Sequence, residues 1–469
     1  MKKPPEGGTQ NNIMMKLINK FLLTFLLSLL LTGGASLYAQ EQPPKPKLTS
    51  EAKRARGHSL AILDEMEEIL KEHYYDPKFR GIELKPRLEA AKARVKTLEY
   101  NFQMYRVLVQ VLMEFNDSHT RMILPPRSDY FQYGLSWQMV GDDCFVTGLK
   151  KASDASAQGI GLGDQIMMIG KFKPTRNDLW KINYLIYRLD PAKTLDLKIR
   201  TPDGAEKALT INAKTQTDKE FRAELKARKD RDKYEPFKCQ EIDRSVVACR
   251  LDSFVVEKSD IDKMMKVAAK YPKLILDLRG NGGGLVSIEE YLLSFFFDRP
   301  VKIADFVTKT KTEVRMTKTI DVSKQYKGEV AVLIDSQSAS ASELTAKVLQ
   351  LENRAKIYGD YSMGSVMTSI TVPFRRVMSL LSDSAIIRVG MSVTVADVIM
   401  RDRSRLERVG VTPDEVLQPT GLALKMKADA VLAYAASKYG SQLTPEQAGR
   451  YHFITEKDED GDDADGGEK

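Results

Sequence analysis

AVLIDSQSASASE (residues 331–343) and LILDLRGNGGG (274–284) decide how the central part of this chain folds. Each begins with a short apolar run, too short for a helix of ordinary length, and ends abruptly in small or polar residues. That pattern reads as a buried strand of a largely parallel sheet. The serines after AVLI are good helix N-caps, and a helix is expected from near Glu343 through Lys347 and Leu349. The same alternation extends outward. VVACRLDSFV (246–255), AKIYG (355–359), SITVPF (369–374) and AIIRVGMSV (385–393) read as strands, and helices are expected over Ile261–Tyr271 and from about Ser287. Strands alternating with helices imply an α/β core over 216–440, opening with a charged helix or linker (EFRAELKARKDRDKYEP, 220–236), whose chemistry sits at strand ends.

The flanking regions have different characters. Ile62, Leu63, Met66, Ile69 and Leu70 recur at helical spacing, and two further helical patterns cover Leu84 to about Leu98 and Phe102–Phe115, so 51–128 reads as a helical unit. It runs into a dense polar knot, FNDSHTRMILPP (115–126). Residues 129–215 turn β-rich (DCFVTGL, TLDLKIRT, KALTINAK), with TPDG at 201–204 as a hairpin turn and Gly159, Gly161 and Gly163 ahead of DQIMMIGKF. This stretch has no cluster of reactive side chains, and its expected work is binding. After the core, a helical extension occupies 441–455, and the acidic 456–469 is expected to be disordered.

With 469 residues, 42% of them hydrophobic and 29% charged, the chain has material for several soluble domains. Lys16 and Lys20 precede FLLTFLLSLLL (21–31) and GGASLYAQ (33–40), so 1–39 reads as a secretory signal, with Met14 or Met15 as alternative starts and an uncleaved anchor as the rival reading. A Pro-rich linker covers 40–50. The expected location is therefore periplasmic or extracellular, with no stable membrane span once the signal is removed. The net charge of +8 is spread through Lys-rich helices without aromatic interleaving, which argues against nucleic acid. Cys239 and Cys249 either close a hairpin or remain buried thiols; Cys144 is the third cysteine.

Few residues can do chemistry. Ser340 lies between a strand and a helix start, where free N–H groups favour developing negative charge, although it also reads as a simple cap. The glycines Gly282, Gly283 and Gly284 leave the backbone approachable, as one arm of an oxyanion hole or as a tight turn; a phosphate loop lacks its following Lys-Ser/Thr. Among four histidines, His119 in the polar knot is the natural partner base for a serine, with a helix-end cap as the bland alternative. No two histidines have ligand spacing, and neither a metal nor a cofactor is expected.

Taken together and in order, AQGIGLGDQIMMIG (157–170), LDLRGNGGG (276–284), SASASELTAKVLQLENRAKIYGDYSMGS (338–365) and GVTPDEVL (410–417) resemble the tail-specific, or carboxyl-terminal processing, peptidases of family S41, over roughly 60–420. The resemblance implies a crotonase-like (ClpP/crotonase-type) α/β core with an N-terminal helical unit and an inserted PDZ-like domain. It implies Ser340 as nucleophile, with Ala341 and the glycine loop holding the oxyanion. Where the best-known branch has its lysine, this chain has Ser365. DSHT at His119 and LERVGVTPD at Glu407 instead resemble the histidine-using, tricorn-core-like branch, in which Ser118 has a counterpart and Arg408 stands in place of a glycine. On this basis a polypeptide is the expected substrate, its C-terminus taken by the PDZ-like domain through Gly161, Leu162, Gly163, Asp164 and Ile166. The alternative is an inactive descendant that only binds peptides; an esterase or transferase on the same core is a third possibility.

Overall fold

The computed structural model describes residues 49–231, 235–378 and 389–451. The expected signal, most of the linker, the acidic tail and the first residues of the strand proposed at 385–393 lie outside the described residues. The described residues from Ser50 onward form one compact unit.

Three helices, Ser50–His73, Leu84–Val95 and Asn101–Met113, open it. The first buries Ile62, Leu63, Met66, Ile69 and Leu70, the apolar stripe legible in the sequence, against Leu88, Leu108 and Leu112 of the other two. A short strand, β1 (Arg121–Ile123), leaves this bundle within the polar knot.

The next strands are β2 (Asp129–Gln132), β3 (Leu135–Val140), β4 (Asp143–Leu149), β5 (Gln165–Ile169), β6 (Thr194–Arg200), β7 (Glu206–Asn212) and β8 (Lys214–Thr217). The middle five form one antiparallel sheet in the order β3-β4-β5-β6-β7, while β2 and β8 pair as the stalk. Trp137, Val146, Ile166, Ile199 and Ile211 fill its core, together with Ile182 and Ile186 of the helical segment 179–189. This is the PDZ-like module. The helix Asp218–Arg231 leads out of it.

The core sheet runs β18-β15-β14-β11-β10-β9, built from β9 (Phe237–Asp243), β10 (Val246–Leu251), β11 (Lys273–Asp277), β14 (Glu329–Ile334), β15 (Ala355–Gly359) and β18 (Glu415–Val416). All its pairings are parallel except β9 with β10. Every residue of β10 is buried, as expected for a strand covered on both faces. Cys239 and Cys249 sit opposite each other on β9 and β10 and form a disulfide. On one face lie the helices Lys258–Ala268, Val286–Ser294 and Ala341–Leu351, and on the other Ala430–Lys438.

The expectation of a crotonase-like (ClpP/crotonase-type) core over 216–440 is corrected here. The α/β part is not a self-contained unit with a helical domain attached. A second, antiparallel sheet runs β1-β17-β12-β13, with β16 also on β17; its other members are β12 (Lys302–Thr308), β13 (Thr312–Met316), β16 (Thr368–Pro373) and β17 (Gly390–Met400). Its strand β1 comes from the N-terminal region, and Met391 and Val393 of β17 pack into the helical bundle's own core. The helical bundle therefore completes its apolar core with residues of the later chain, Phe374, Val389, Met391 and Val393. Among the described residues, no helix is long and apolar enough to cross a membrane.

Candidate active site

Ser340 is the residue just before the helix Ala341–Leu351, and its backbone is strained, with φ 55° and ψ −118°. A non-glycine residue persists in such a conformation only where its surroundings hold it. Here its N–H donates to the carbonyl of Ser365 (2.9 Å) and to Glu343 Oε2 (3.0 Å). The glycine loop lies against it: a Cβ on Gly283 would fall 2.6 Å from the Cβ of Ser340. Asn281, fully buried, ties the two together through its carbonyl, which accepts from Ala339 N–H (3.0 Å) and Ser342 Oγ (2.9 Å).

These contacts bear on the expected oxyanion donors. Gly283 N–H donates to Asn281 Oδ1 (2.8 Å), so in this arrangement it is engaged within the loop. Gly282, Gly284 and Ala341 have no backbone N–H hydrogen bond among the described residues.

Glu343 also shapes the surroundings of Ser340. It is completely buried and accepts from four donors: Ser362 Oγ (2.6 Å), Gly364 N–H (2.7 Å), Ser365 N–H (2.8 Å) and Ser340 N–H. Burial pushes its pKa up to about 7 against the opposing pull of those hydrogen bonds. Its signal was in the sequence as the capping-box spacing Ser340–Glu343, but a capping box alone says nothing about the loop at 362–365.

His119 reaches the core because β1 pairs with β17, Arg121 opposite Ser392. The knot before it is built around the buried carboxylate of Asp117. That group accepts from Tyr74 Oη (2.8 Å), Thr394 Oγ1 (2.9 Å) and the N–H groups of His119 (3.0 Å) and Thr120 (2.5 Å). Its polarity is thus structural as well as chemical. His119 Nδ1 lies 2.5 Å from Ser118 Oγ, which donates to Glu407 Oε2 (2.9 Å); Glu407 Oε1 accepts Ser118 N–H (2.8 Å), and Val366 N–H reaches Oε2 at 3.3 Å. A hydroxyl has one proton. If Ser118 gives it to the carboxylate, the imidazole must donate from Nδ1, which leaves a lone pair on Nε2.

Protein packed densely around His119 depresses its pKa to about 4; Arg121 and Arg408 push the same way and Asp117 opposes them. The imidazole is therefore neutral at ordinary pH. Burial raises the carboxyl of Glu407, opposed by Arg408 and by its hydrogen bonds to Ser118 and Val366. Ser118, His119 and Glu407 are thus brought together, and Ser340 is joined to them through the neighbouring residues Ser365 and Val366. No hydrogen bond links His119 to Ser340 among the described residues, and no cluster of potential metal ligands occurs among them.

The residues expected to take peptide, 161–166, form the turn that leads into β5 and its first residues. Gly161 N–H donates to Asp164 Oδ2 (2.8 Å), Gly163 N–H donates to Val146 O (2.9 Å), and Ile166 lies in the module's core. A Cβ on Gly163 would lie 1.9 Å from the carbonyl of Gly421, so this turn, with Leu162 and Asp164, is packed at the junction with the helix Gly421–Lys425. One of the module's two edge strands is β3, whose Met139 carbonyl accepts from Ser336 Oγ in the loop before Ser340. Arg176 ties the same junction, pairing with Asp360 and donating to Gly141 O (2.6 Å).

Residues 246–417 match the sequence model described as Peptidase family S41. A probable CtpA-like serine protease of Staphylococcus saprophyticus is 25% identical over 252 residues, covering 52% of this chain and 47% of the relative. A protein of the same description from Staphylococcus aureus is 29% identical over 103 residues, 22% of this chain and 21% of its own length. The matches thus span about half or less of these relatives. In fold, the crystal structure of mature CPAF is similar with a TM-score of 0.60 at 15% identity, covering 86% of this chain and 98% of that one. The photosystem II D1 C-terminal processing protease gives 0.50 at 19% identity, covering 77% and 93%. The architecture is accordingly that of the processing proteases, with a PDZ-like insertion, and not that of a crotonase. Residues 246–417 are thus similar to peptidase family S41, and the fold around them is similar to that of the carboxyl-terminal processing proteases.

Proposed function

We propose that this chain is an exported serine endopeptidase of the histidine-using type that hydrolyses polypeptides through an acyl-enzyme on Ser340. The observation carrying this reading is the hydrogen-bonded line from His119 through Ser118 to Glu407, set beside the loop that holds the strained Ser340. His119 Nε2 takes the proton as Ser340 Oγ attacks the peptide carbonyl, and Ser118 and Glu407 hold the imidazole and balance its charge. The N–H groups of Gly282, Gly284 and Ala341 are the donors offered to the oxyanion. His119 then protonates the leaving amine, and water releases the acyl group. Closing the gap between His119 and Ser340 belongs to substrate engagement, since catalytic hydrogen bonds often tighten only then.

Substrate adds to the edge of β3, beside the segment 179–189 that Trp137 Nε1 ties to the sheet through Asn183 Oδ1 (3.0 Å). The Cys239–Cys249 disulfide favours an oxidising compartment and so supports export. The missing His119–Ser340 hydrogen bond and Ser365 in place of a lysine favour the second reading, peptide binding without turnover. The test is labelling of Ser340 with a serine-directed fluorophosphonate and hydrolysis of an unfolded protein. Both are expected to vanish in Ser340→Ala and to fall sharply in His119→Ala, and hydrolysis surviving in Ser340→Ala rejects the nucleophile.

A further inference from the structure

Arg408 stands where the helical unit, the PDZ-like module and the core meet. Its backbone is left-handed, with φ 61°, a region that suits glycine. Its guanidinium lies 4.6 Å over the ring of Trp180 in the PDZ-like module. Its Nε donates to the carbonyl of Asn116 (3.3 Å), at the head of the polar knot, and lies 3.5 Å from Glu407 Oε1. Only 17% of the side chain is exposed. Nη2 of Arg408 and Nε1 of Trp180 are both buried without a hydrogen-bond partner. Buried donors without partners are costly, as is the left-handed backbone, so local stability does not account for a long cation at this position.

We propose that Arg408 is a positioning residue that couples the PDZ-like module to the Ser118–His119–Glu407 line. With Trp180 beneath it, the guanidinium holds the Asn116 carbonyl and stays beside the Glu407 carboxylate; displacement of Trp180 releases both. A peptide bound along the segment 179–189 then acts on the catalytic line through a single side chain. The catalytic half of this inference rests on the function proposed above, whereas the coupling itself can be read without turnover. The charged groups that face His119 are Arg121, Asp117 and Arg408, and Arg408 itself faces Glu407, Asp117, Arg80 and Asp178.

The experiment is a histidine NMR titration of the full chain, with His119→Gln to assign the signal, in the parent and in Arg408→Gly, Trp180→Leu and Trp180→Phe. Taking the guanidinium away removes a positive charge near the imidazole, so the His119 midpoint should rise by roughly 0.5 to 1 pH unit in Arg408→Gly. Arg408→Gln should give the same rise if the glycine variant does not fold. Trp180→Leu should shift the midpoint in the same direction, while Trp180→Phe, which keeps an aromatic platform, should stay near the parent. Ser340-dependent hydrolysis should lose roughly tenfold to a hundredfold in kcat in Arg408→Gly and Trp180→Leu, with KM little changed. A midpoint that moves in Arg408→Gly but not in Trp180→Leu, or in neither, overturns the coupling. A parent that hydrolyses nothing rejects the proposed function, and the titration still decides the coupling.

Discussion

Gly283→Ala tests the tie between the glycine loop and the nucleophile most directly. The added methyl would lie 2.6 Å from Ser340 Cβ, 2.8 Å from the Ala339 carbonyl oxygen and 3.1 Å from Ala341 N. Carbon atoms rest at about 3.5 to 4.0 Å, so the loop and the turn must separate by about 1 Å. Gly283 also has φ 95°, which costs an L-residue about 1 to 2 kcal/mol. Overpacking adds about 1 to 3 kcal/mol, for a total of roughly 2 to 5 kcal/mol. A displacement of about 1 Å at reacting atoms corresponds to about a hundredfold in rate. We therefore expect kcat for hydrolysis of an unfolded protein to fall about a hundredfold, fluorophosphonate labelling of Ser340 to slow in parallel, and urea stability to drop within the range above. Gly57→Ala is the control, because a Cβ there meets nothing within 4 Å and the residue lies outside the proposed catalytic machinery, and it should stay close to the parent. Parent activity in Gly283→Ala, or equal damage in Gly57→Ala, would refute the reasoning.

Ser118→Ala removes the hydroxyl between His119 and Glu407 while leaving the backbone bond to Glu407, so kcat should fall by roughly tenfold to a hundredfold with the fold intact by circular dichroism. Unchanged kcat would mean that Ser118 is only a spacer. Asp429→Ala strips one of the two carboxylates that grip the buried guanidinium of Arg279 at 2.7 to 2.9 Å, and it also removes the cap of the helix Ala430–Lys438. A loss of about 3 to 5 kcal/mol in urea unfolding is expected, and a loss below about 1 kcal/mol would contradict the burial argument. The His119 pKa, about 4 in the fold against an ordinary 6.5, sets a pH dependence. Between those values the unfolded chain binds the proton and the folded chain does not, so stability falls as pH drops from 6.5 to 4, by at most about 3 kcal/mol. His119→Gln should flatten that window, and an unchanged slope would show that the imidazole is not held neutral.

Much of the local structure was legible because it depends on short-range periodicity. The strands at 246–251, 273–277 and 329–334 announce themselves as apolar runs with both faces buried, and the helix Lys258–Ala268 by Ile261, Met264, Met265 and Ala268 at helical spacing. The antiparallel sheet was less legible. Its strand β13 alternates partly buried and exposed residues along an edge, and β1 is only three residues long, so neither presents a run that propensity can detect. Arg279 had no sequence signal for its second carboxylate, since Asp429 is 150 residues away.

Residue chemistry narrowed the candidates to Ser340, His119 and a run of glycines, because few side chains here can exchange protons near neutrality or leave the backbone open, and Glu407 and Ser118 entered only through the resemblance to family S41. Which of these touch was decided by tertiary structure. The pairing of β1 with β17 carries His119 to the core, Glu343 pins the loop at 362–365 beneath Ser340, and Gly163 packs against Gly421. Contacts between residues hundreds of positions apart depend on how two surfaces fit, and that fit leaves no periodic trace along the chain.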